Sequence, residues 1–201
     1  MFFDIGANVG QWALANAAAA NKIVAVEADP TTHAKLVANT QGTNIVCENY
    51  AVCDSPADII FYRCEDDTIS SLNHEWLSDP ISRFYNHAPF TEITCKTISL
   101  DSLIDKYGLP GLIKIDVEGG EFAVIRSLTK KVPLICFEWA AEMSHIAIQV
   151  IDHLLALRFT EFTVQDGDEY TFRPTQFTNS QMVKERLTSA TGLDWGMVWC
   201  K

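Results

Sequence analysis

Several things are scarce in this chain, and each scarcity excludes something. No apolar run approaches the ~20 residues that cross a bilayer, so no membrane span is expected. Met1 leads straight into apolar sequence without a basic n-region, so no secretory signal is read. Basic residues are few: 15 Lys and Arg stand against 26 Asp and Glu, a net charge of -11. Wholesale electrostatic binding to nucleic acid or to an acidic membrane surface is therefore not expected. None of the six cysteines forms a C-x-x-C pair. Several lie inside apolar runs such as Leu134-Ile135-Cys136-Phe137, which reads as reduced, buried thiols of a cytoplasmic protein. His33, His74, His87, His145 and His153 have no metal-ligand spacing and read as ordinary surface or loop histidines. Internal repeats, linkers and low-complexity tracts are missing too. With 201 residues and 48% hydrophobic composition, one domain spanning 1–201 is the simplest organisation.

What is present is an alternation of strand-like and helix-like segments. Phe2–Ile5, Lys22–Glu27, Asn44–Ala51, Leu112–Val117, Pro133–Trp139, Phe159–Val164 and Trp195–Cys200 read as strands. Helices are expected over Gln11–Ala20, Pro30–Asn39 and Ala141–Leu157, the last with Ile146, Val150, Leu154 and Leu157 on one face. Such alternation predicts an α/β fold: a mostly parallel sheet covered on both faces, with ligands at the carboxyl ends of the strands. The stretch 57–100 breaks the pattern. Ile59–Cys64 and Glu92–Ile98 look like a strand pair around a polar segment, Glu65 to Thr91, that carries His74, Trp76, Phe84, Tyr85, His87 and Pro89. This insertion is a candidate lid for an acceptor. Its aromatics either pack on a sugar or ring, or anchor the loop to the core.

The charged residues at the strand ends carry the functional reading. Phe2-Phe3-Asp4-Ile5-Gly6-Ala7-Asn8-Val9-Gly10 is a strand, an acid and a glycine turn running into helix-like sequence. Gly6 allows close approach of backbone to a ligand, Gly10 allows close packing of the next helix, and the turn amides are expected to face the ligand. The acid argues against phosphate and for a ligand with an ammonium group or hydroxyls; S-adenosylmethionine has both. G-x-G-x-x-G is absent, which weighs against a nicotinamide-dependent reductase. Glu27, ending the second strand, can accept hydrogen bonds from both hydroxyls of a ribose or stand as a solvated loop acid. Asn49-Tyr50-Ala51 ends the third and can flank an adenine ring, although alone it says little. Lys114-Ile115-Asp116-Val117-Glu118-Gly119-Gly120-Glu121 gathers three acids and a lysine at another strand end, where Glu121 begins a helix. Glu138, ending the neighbouring strand, points into the same cleft.

Together these motifs resemble the FkbM family of S-adenosylmethionine-dependent methyltransferases. The likeness rests on Asp4-Ile5-Gly6-Ala7-Asn8-Val9-Gly10, Val26-Glu27-Ala28-Asp29-Pro30, Asn49-Tyr50-Ala51-Val52, Ser70-Ser71-Leu72, Ser99-Leu100-Asp101-Ser102-Leu103 and Lys114 to Gly119, in order, over residues 2 to 140. It implies a Rossmann-like sheet of seven strands, the last antiparallel, and a cofactor site that includes Asp4, Gly6, Ala7, Asn8, Gly10, Glu27, Ala28, Asn49, Ala51 and Asp116. Asp4, Gly6 and Asn8 would line the methionine part. Glu27 would take the ribose, Asn49 and Ala51 the adenine, and Asp116 the reacting methyl or the amino group. O-methylation of a hydroxyl on a glycan, lipid-linked sugar or metabolite is the activity expected, with Asp116 or Glu118 and then Glu138 as general base. A divalent metal on the same acids is a rival way to activate the hydroxyl. A non-catalytic cofactor-binding scaffold is the alternative from another class. Many methyltransferases carry helices before the first strand, where this chain begins. The expectation is either an open site or one covered by a partner or a second copy.

Overall fold

The computed structural model describes residues 1–85 and 90–201. His87 and Pro89, two members of the predicted lid, lie outside the described residues. Eleven strands run in chain order: β1 (Phe2–Ile5), β2 (Ile23–Val26), β3 (Ile45–Glu48), β4 (Ala51–Val52), β5 (Ile59–Arg63), β6 (Thr91–Cys95), β7 (Thr97–Ile98), β8 (Leu112–Ile115), β9 (Ile135–Ala140), β10 (Phe162–Asp166) and β11 (Trp195–Cys200). The α-helices are α1 (Gln11–Asn16), α2 (Pro30–Asn39), α3 (His74–Ser78), α4 (Leu100–Tyr107), α5 (Glu121–Arg126), α6 (Ser144–Ala156) and α7 (Ser180–Ser189).

Seven strands form the main sheet in the order β10-β11-β9-β8-β1-β2-β3. The neighbours β9-β8-β1-β2-β3 are all parallel, and β11 runs antiparallel between β9 and β10. This is the predicted α/β architecture, with the last strand in sequence as the reversed one. β1 lies at the centre of the parallel set, Phe2 in register with both Ile23 and Leu112. Strand order reverses beside β1, so its carboxyl end opens onto a crevice.

Both faces of the sheet are buried, as a parallel sheet requires. The period-2 alternation of β2 divides the two cores. Ile23 and Ala25 pack with Ala13 of α1 and Leu36 of α2. Val24 and Val26 face the larger core with Leu100 and Leu103 of α4, Ile125 of α5, Ile151 and Leu154 of α6, and Leu187 of α7. Asp29 caps α2 by accepting from the Thr31 amide at 2.6 Å, and Pro30 occupies the first turn where its missing N–H costs nothing. No helix among the described residues is long and apolar enough to cross a membrane. All six cysteines are free, and five are buried.

Several local expectations need correction. The segment Asn44–Ala51 is not one strand. The Asn49 side chain donates to the Glu27 and Ala28 carbonyls, at 2.8 and 3.0 Å, and the chain turns away. β4 then pairs with β7 outside the main sheet. Gln11–Ala20 is α-helical to Asn16 and tightens into a 3-10 turn over Ala17–Ala19; the buried Asn16 amide bonds back to the Trp12 carbonyl at 2.9 Å and forward to Tyr170. On α6 the buried stripe is Ala147, Val150, Ile151 and Leu154, rotated from the expected one. Helices α4 and α7 were not anticipated. Each starts on a side-chain cap, Ser99 for one and Asn179 for the other.

The insertion is a hairpin as expected. β5 and β6 pair antiparallel from Ile59↔Cys95 to Arg63↔Thr91. Of the chain between them, the described part up to residue 85 carries α3 and brings Asp67, Leu72, Trp76 and Phe84 over the carboxyl ends of the main strands.

Candidate active site

Backbone geometry at the end of β1 sets the site. Gly6 has φ +75°, and a Cβ there would fall 1.7 Å from the Asp116 carbonyl oxygen. Only glycine lets the turn after β1 cross the turn after β8 this closely. Gly10, at φ +92°, is pressed against Leu36 of α2.

The turn amides do not face a ligand, contrary to expectation. Gly6 and Ala7 donate to the Val26 carbonyl, both at 3.0 Å, and Gly10 donates to Ala7 at 2.8 Å. The Asn8 amide goes to a Glu27 carboxylate oxygen at 2.9 Å, and the Val9 amide to the Asn8 side chain. The helix of six residues that follows offers no anion cradle.

Glu27 is 8% exposed, and its second oxygen accepts from the Asp29 amide at 2.9 Å. Burial pushes its carboxyl up to about 7, against the pull of those two amides. Beneath the turn, Lys114 is buried with its Nζ 3.3 Å from Asp4, 3.2 Å from Asp116 and 3.4 Å from the Gly6 carbonyl. Burial by itself would lower the lysine, but Asp116 and Asp4 outweigh it and hold the ammonium protonated. Burial raises Asp4, and Lys114 only partly offsets this.

A cavity of about 530 Å³ opens over these strand ends. Gly6, Ala7, Asn8, Glu27, Ala28, Ala51, Asp116, Glu118 and Glu138 all line it. Asp4, Gly10 and Asn49 stand behind the wall: Asp4 as the partner of Lys114, Gly10 against α2, Asn49 as the brace of the 27–28 turn. Tyr50, Val52, Phe61 and Leu72 supply flat apolar surface beside Glu27 and Ala51.

At the other end, Asp116, Glu118 and Glu138 bring carboxylate oxygens within 4.8 Å of one another. Trp76 of α3 donates its indole N–H to Glu118 at 3.1 Å. Burial, then the neighbouring acids, push Glu118 and Glu138 well above the ordinary carboxylate range. Glu121 belongs elsewhere. It accepts from the Val117 and Gly119 amides, at 3.1 and 3.3 Å, and fastens the turn that aims Asp116 and Glu118.

The sequence reading missed several wall residues. Asp168 and Tyr170 come from the turn after β10, where burial lifts Asp168 to about 6. The run Asp166-Gly167-Asp168, acids around a glycine at a strand's carboxyl end, was the available signal. Arg83 and Trp195 also line the cavity, and nothing local in the sequence marks them. Asp67 of the insertion lines it too and takes a bond from the Asn8 side chain at 3.2 Å through its carbonyl.

The sequence matches the methyltransferase FkbM domain over residues 4–173. The chain belongs to this family. S-adenosylmethionine is the methyl donor of FkbM methyltransferases, and the glycine turn, Glu27 and the Asp116 strand end all fall within the matched span. A hexuronic acid methyltransferase, AglP of Haloferax volcanii, is 29% identical over 144 residues, covering 68% of this chain and 53% of that protein. The chain thus spans about half the length of the curated relative it matches. Among solved structures, a precorrin 8W decarboxylase from Methanobacterium thermoautotrophicum superposes with a TM-score of 0.50 at 11% identity, over 100% of this chain and 80% of that one. That likeness supports the FkbM chain's fold alone. A precorrin-6y C5,15-methyltransferase from Geobacter metallireducens gives a TM-score of 0.49 at 10% identity, over 100% of this chain and 78% of that one.

Proposed function

We propose that this FkbM domain is an S-adenosylmethionine-dependent O-methyltransferase for a hydroxyl on a sugar or other small molecule. We read 1–201 as one catalytic unit with the 57–100 insertion as its acceptor lid. The observation that carries the reading is the polarity of the cavity over the strand ends. A ribose-competent acid beside apolar walls lies at one end, and three acids with carboxylate oxygens within 4.8 Å of one another lie at the other.

The residues present fit the cofactor. Glu27 is held by two backbone amides with lone pairs still directed at the cavity, where ribose hydroxyls can donate. Ala28, Ala51, Val52 and Phe61 form a slot for a flat ring. Asp116, kept in place by Lys114, is the acid for an ammonium group. When bound, the cofactor supplies a methyl group on a sulfonium, transferred by in-line displacement to the acceptor oxygen.

The chain's own task in that step is to orient the acceptor and take its proton. Asp116 is engaged by Lys114 and Glu118 by Trp76. Glu138 has neither kind of partner and shares a hydrogen bond with Asp116. We assign Glu138 as general base, ahead of Glu118, because it lines the cavity without the ammonium or indole partner that engages the other two acids. Glu138→Gln is expected to lower kcat about a hundredfold or more and leave S-adenosylhomocysteine affinity intact; unchanged kcat moves the role to Glu118. The archaeal relative's printed substrate, a hexuronic acid, supports a sugar acceptor.

The same three acids are spaced for an oxygen-ligated divalent cation, which would activate the hydroxyl as a Lewis acid. Turnover in the presence of a chelator, with and without added magnesium, separates the two readings.

A further inference from the structure

We infer that the acceptor is neutral or positively charged at the end that enters the cavity, and that uronic acids and sugar phosphates are excluded. This deepens the methyltransferase reading and rests on it for the identity of the first ligand.

The argument is a charge inventory of the cavity wall. Six acids line it: Glu27, Asp67, Asp116, Glu118, Glu138 and Asp168. Two cations line it among the described residues, Lys114 and Arg83, and both are committed. Lys114 lies between Asp4 and Asp116 and is almost fully buried. Arg83 forks onto Glu142, with contacts of 2.6 and 2.7 Å, and its remaining reach goes to the Asp194 carbonyl at 3.3 Å. Glu142 is itself buried, so releasing Arg83 to greet an anion would strand a carboxylate.

The backbone amides already bonded in the turns after β1 and β8 offer no substitute. The amides of residues 6 to 10 are all consumed internally, and those of Val117 and Gly119 bind Glu121. An acceptor carboxylate or phosphate near Asp116, Glu118 and Glu138 would meet a cluster of three carboxyl groups within 4.8 Å of one another and, among the described residues, no uncommitted cation. Placing a further anion against such a cluster in a desolvated site weakens binding and rejects the wrong partner. The cofactor is compatible with this field, since its sulfonium and ammonium outnumber its single carboxylate. The acceptor end is walled by Trp76 and Phe84, ring centroids 5.2 Å apart, which suits the apolar face of a sugar ring.

The inference runs against the printed substrate of the Haloferax relative, and so discriminates. The test begins with calorimetry of S-adenosylhomocysteine on the full chain. Absence of binding there rejects the methyltransferase reading and leaves the charge rule to its own probes. The saturated complex is then titrated with methyl glucoside, methyl 6-amino-6-deoxyglucoside and methyl glucuronide. The glucuronide is expected to bind roughly tenfold or more weaker than the other two. Glu118→Gln combined with Glu138→Gln is expected to shrink that gap. A glucuronide that binds as tightly as the glucoside overturns the inference, as does a gap the double variant leaves unchanged. Should no glycoside bind, ethanolamine and glycolate on the same protein decide the matter: ethanolamine must be preferred, and equal or reversed preference overturns the rule.

Discussion

The cavity has two walls built by opposite means. The wall proposed for the cofactor is made of strand ends and the turns that leave them: 4–10, 26–29 and 114–118. Its turn amides are satisfied at short range, on Val26, Ala7, Asn8 and Glu27, and its lysine lies between its acids. The insertion wall is made of loop and one short helix, held by side chains that reach far along the chain. Trp76 reaches Glu118, Ser71 the Glu118 carbonyl, Asn73 the Gly119 carbonyl, and Arg83 reaches Glu142. The first wall is rigid because the sheet is rigid. The second is only as firm as its anchors. On the proposed reading, the contrast predicts that cofactor binding and acceptor binding fail separately.

The strongest way to break the comparison is Trp76→Ala. Trp76 is 2% exposed and packs with Cys64, Ile69, Leu77, Ala140 and Met143 as well as facing the cavity. Anchor and acceptor wall are thus one residue. The expected loss is about 3–5 kcal/mol of stability by chemical denaturation, with S-adenosylhomocysteine affinity of the folded protein unchanged. A collapse of cofactor affinity in the folded variant would merge the two walls into one.

The cofactor wall should show its own pH signature. Glu27 and Glu121 are each raised from 4.5 to about 7 by burial. Their folded state binds protons more tightly than the unfolded state. The stability they favour is therefore fully present below about pH 4.5 and lost as pH rises through about 7, each on the order of 3 kcal/mol. Thermal unfolding of the ligand-free protein should become easier across that window. Affinity for S-adenosylhomocysteine should rise over the same window, because ionised Glu27 is the better acceptor for ribose hydroxyls. Glu27→Gln should flatten the affinity trend and remove about half of the stability trend, leaving the share of Glu121; trends that persist unaltered point to another group.

Glu27→Ala sharpens the contrast from the other side. Loss of the carboxylate leaves the Asn8 and Asp29 amides without acceptors, costing about 1–3 kcal/mol, and cofactor affinity should fall about tenfold to a hundredfold by calorimetry. Acceptor-wall protection, read by hydrogen exchange over Trp76 to Tyr85, should not change.

Arg83→Ala is a smaller perturbation, expected at about 1–3 kcal/mol because buried Glu142 loses its partner. Exchange should rise over Trp76 to Tyr85 while cofactor affinity holds. At the bottom of the scale, Lys130→Ala removes an exposed pair with Asp105 and should change neither wall measurably in the same assays.

The legibility of the molecule follows the same division. β1, β2, β8 and β9 announce themselves as largely apolar runs with an acid at or near the carboxyl end, so the sheet and its ligand-binding end can be read from the sequence. Asn49 misleads, because an amide that braces a neighbouring turn has the same sequence appearance as one that meets a base. The amides of residues 6–10 mislead for a related reason: a glycine turn predicts close approach, but which acceptors lie nearby depends on strands far away in the chain. Arg83 and Trp195 have no local pattern to betray them, and Asp168 has only the Asp166-Gly167-Asp168 run at the end of β10.

By itself, then, the sequence determined the strand–helix rhythm, the glycine crossing at β1, the acids at the strand ends and, through their order, the family. These depend on neighbours a few residues apart, where periodicity and backbone sterics act. The tertiary structure alone decided which acids face the cavity, which cations are free, and where the acceptor wall sits. Those are questions of charge and contact between residues dozens of positions apart, settled only when the chain has folded and the desolvated pairs have found each other.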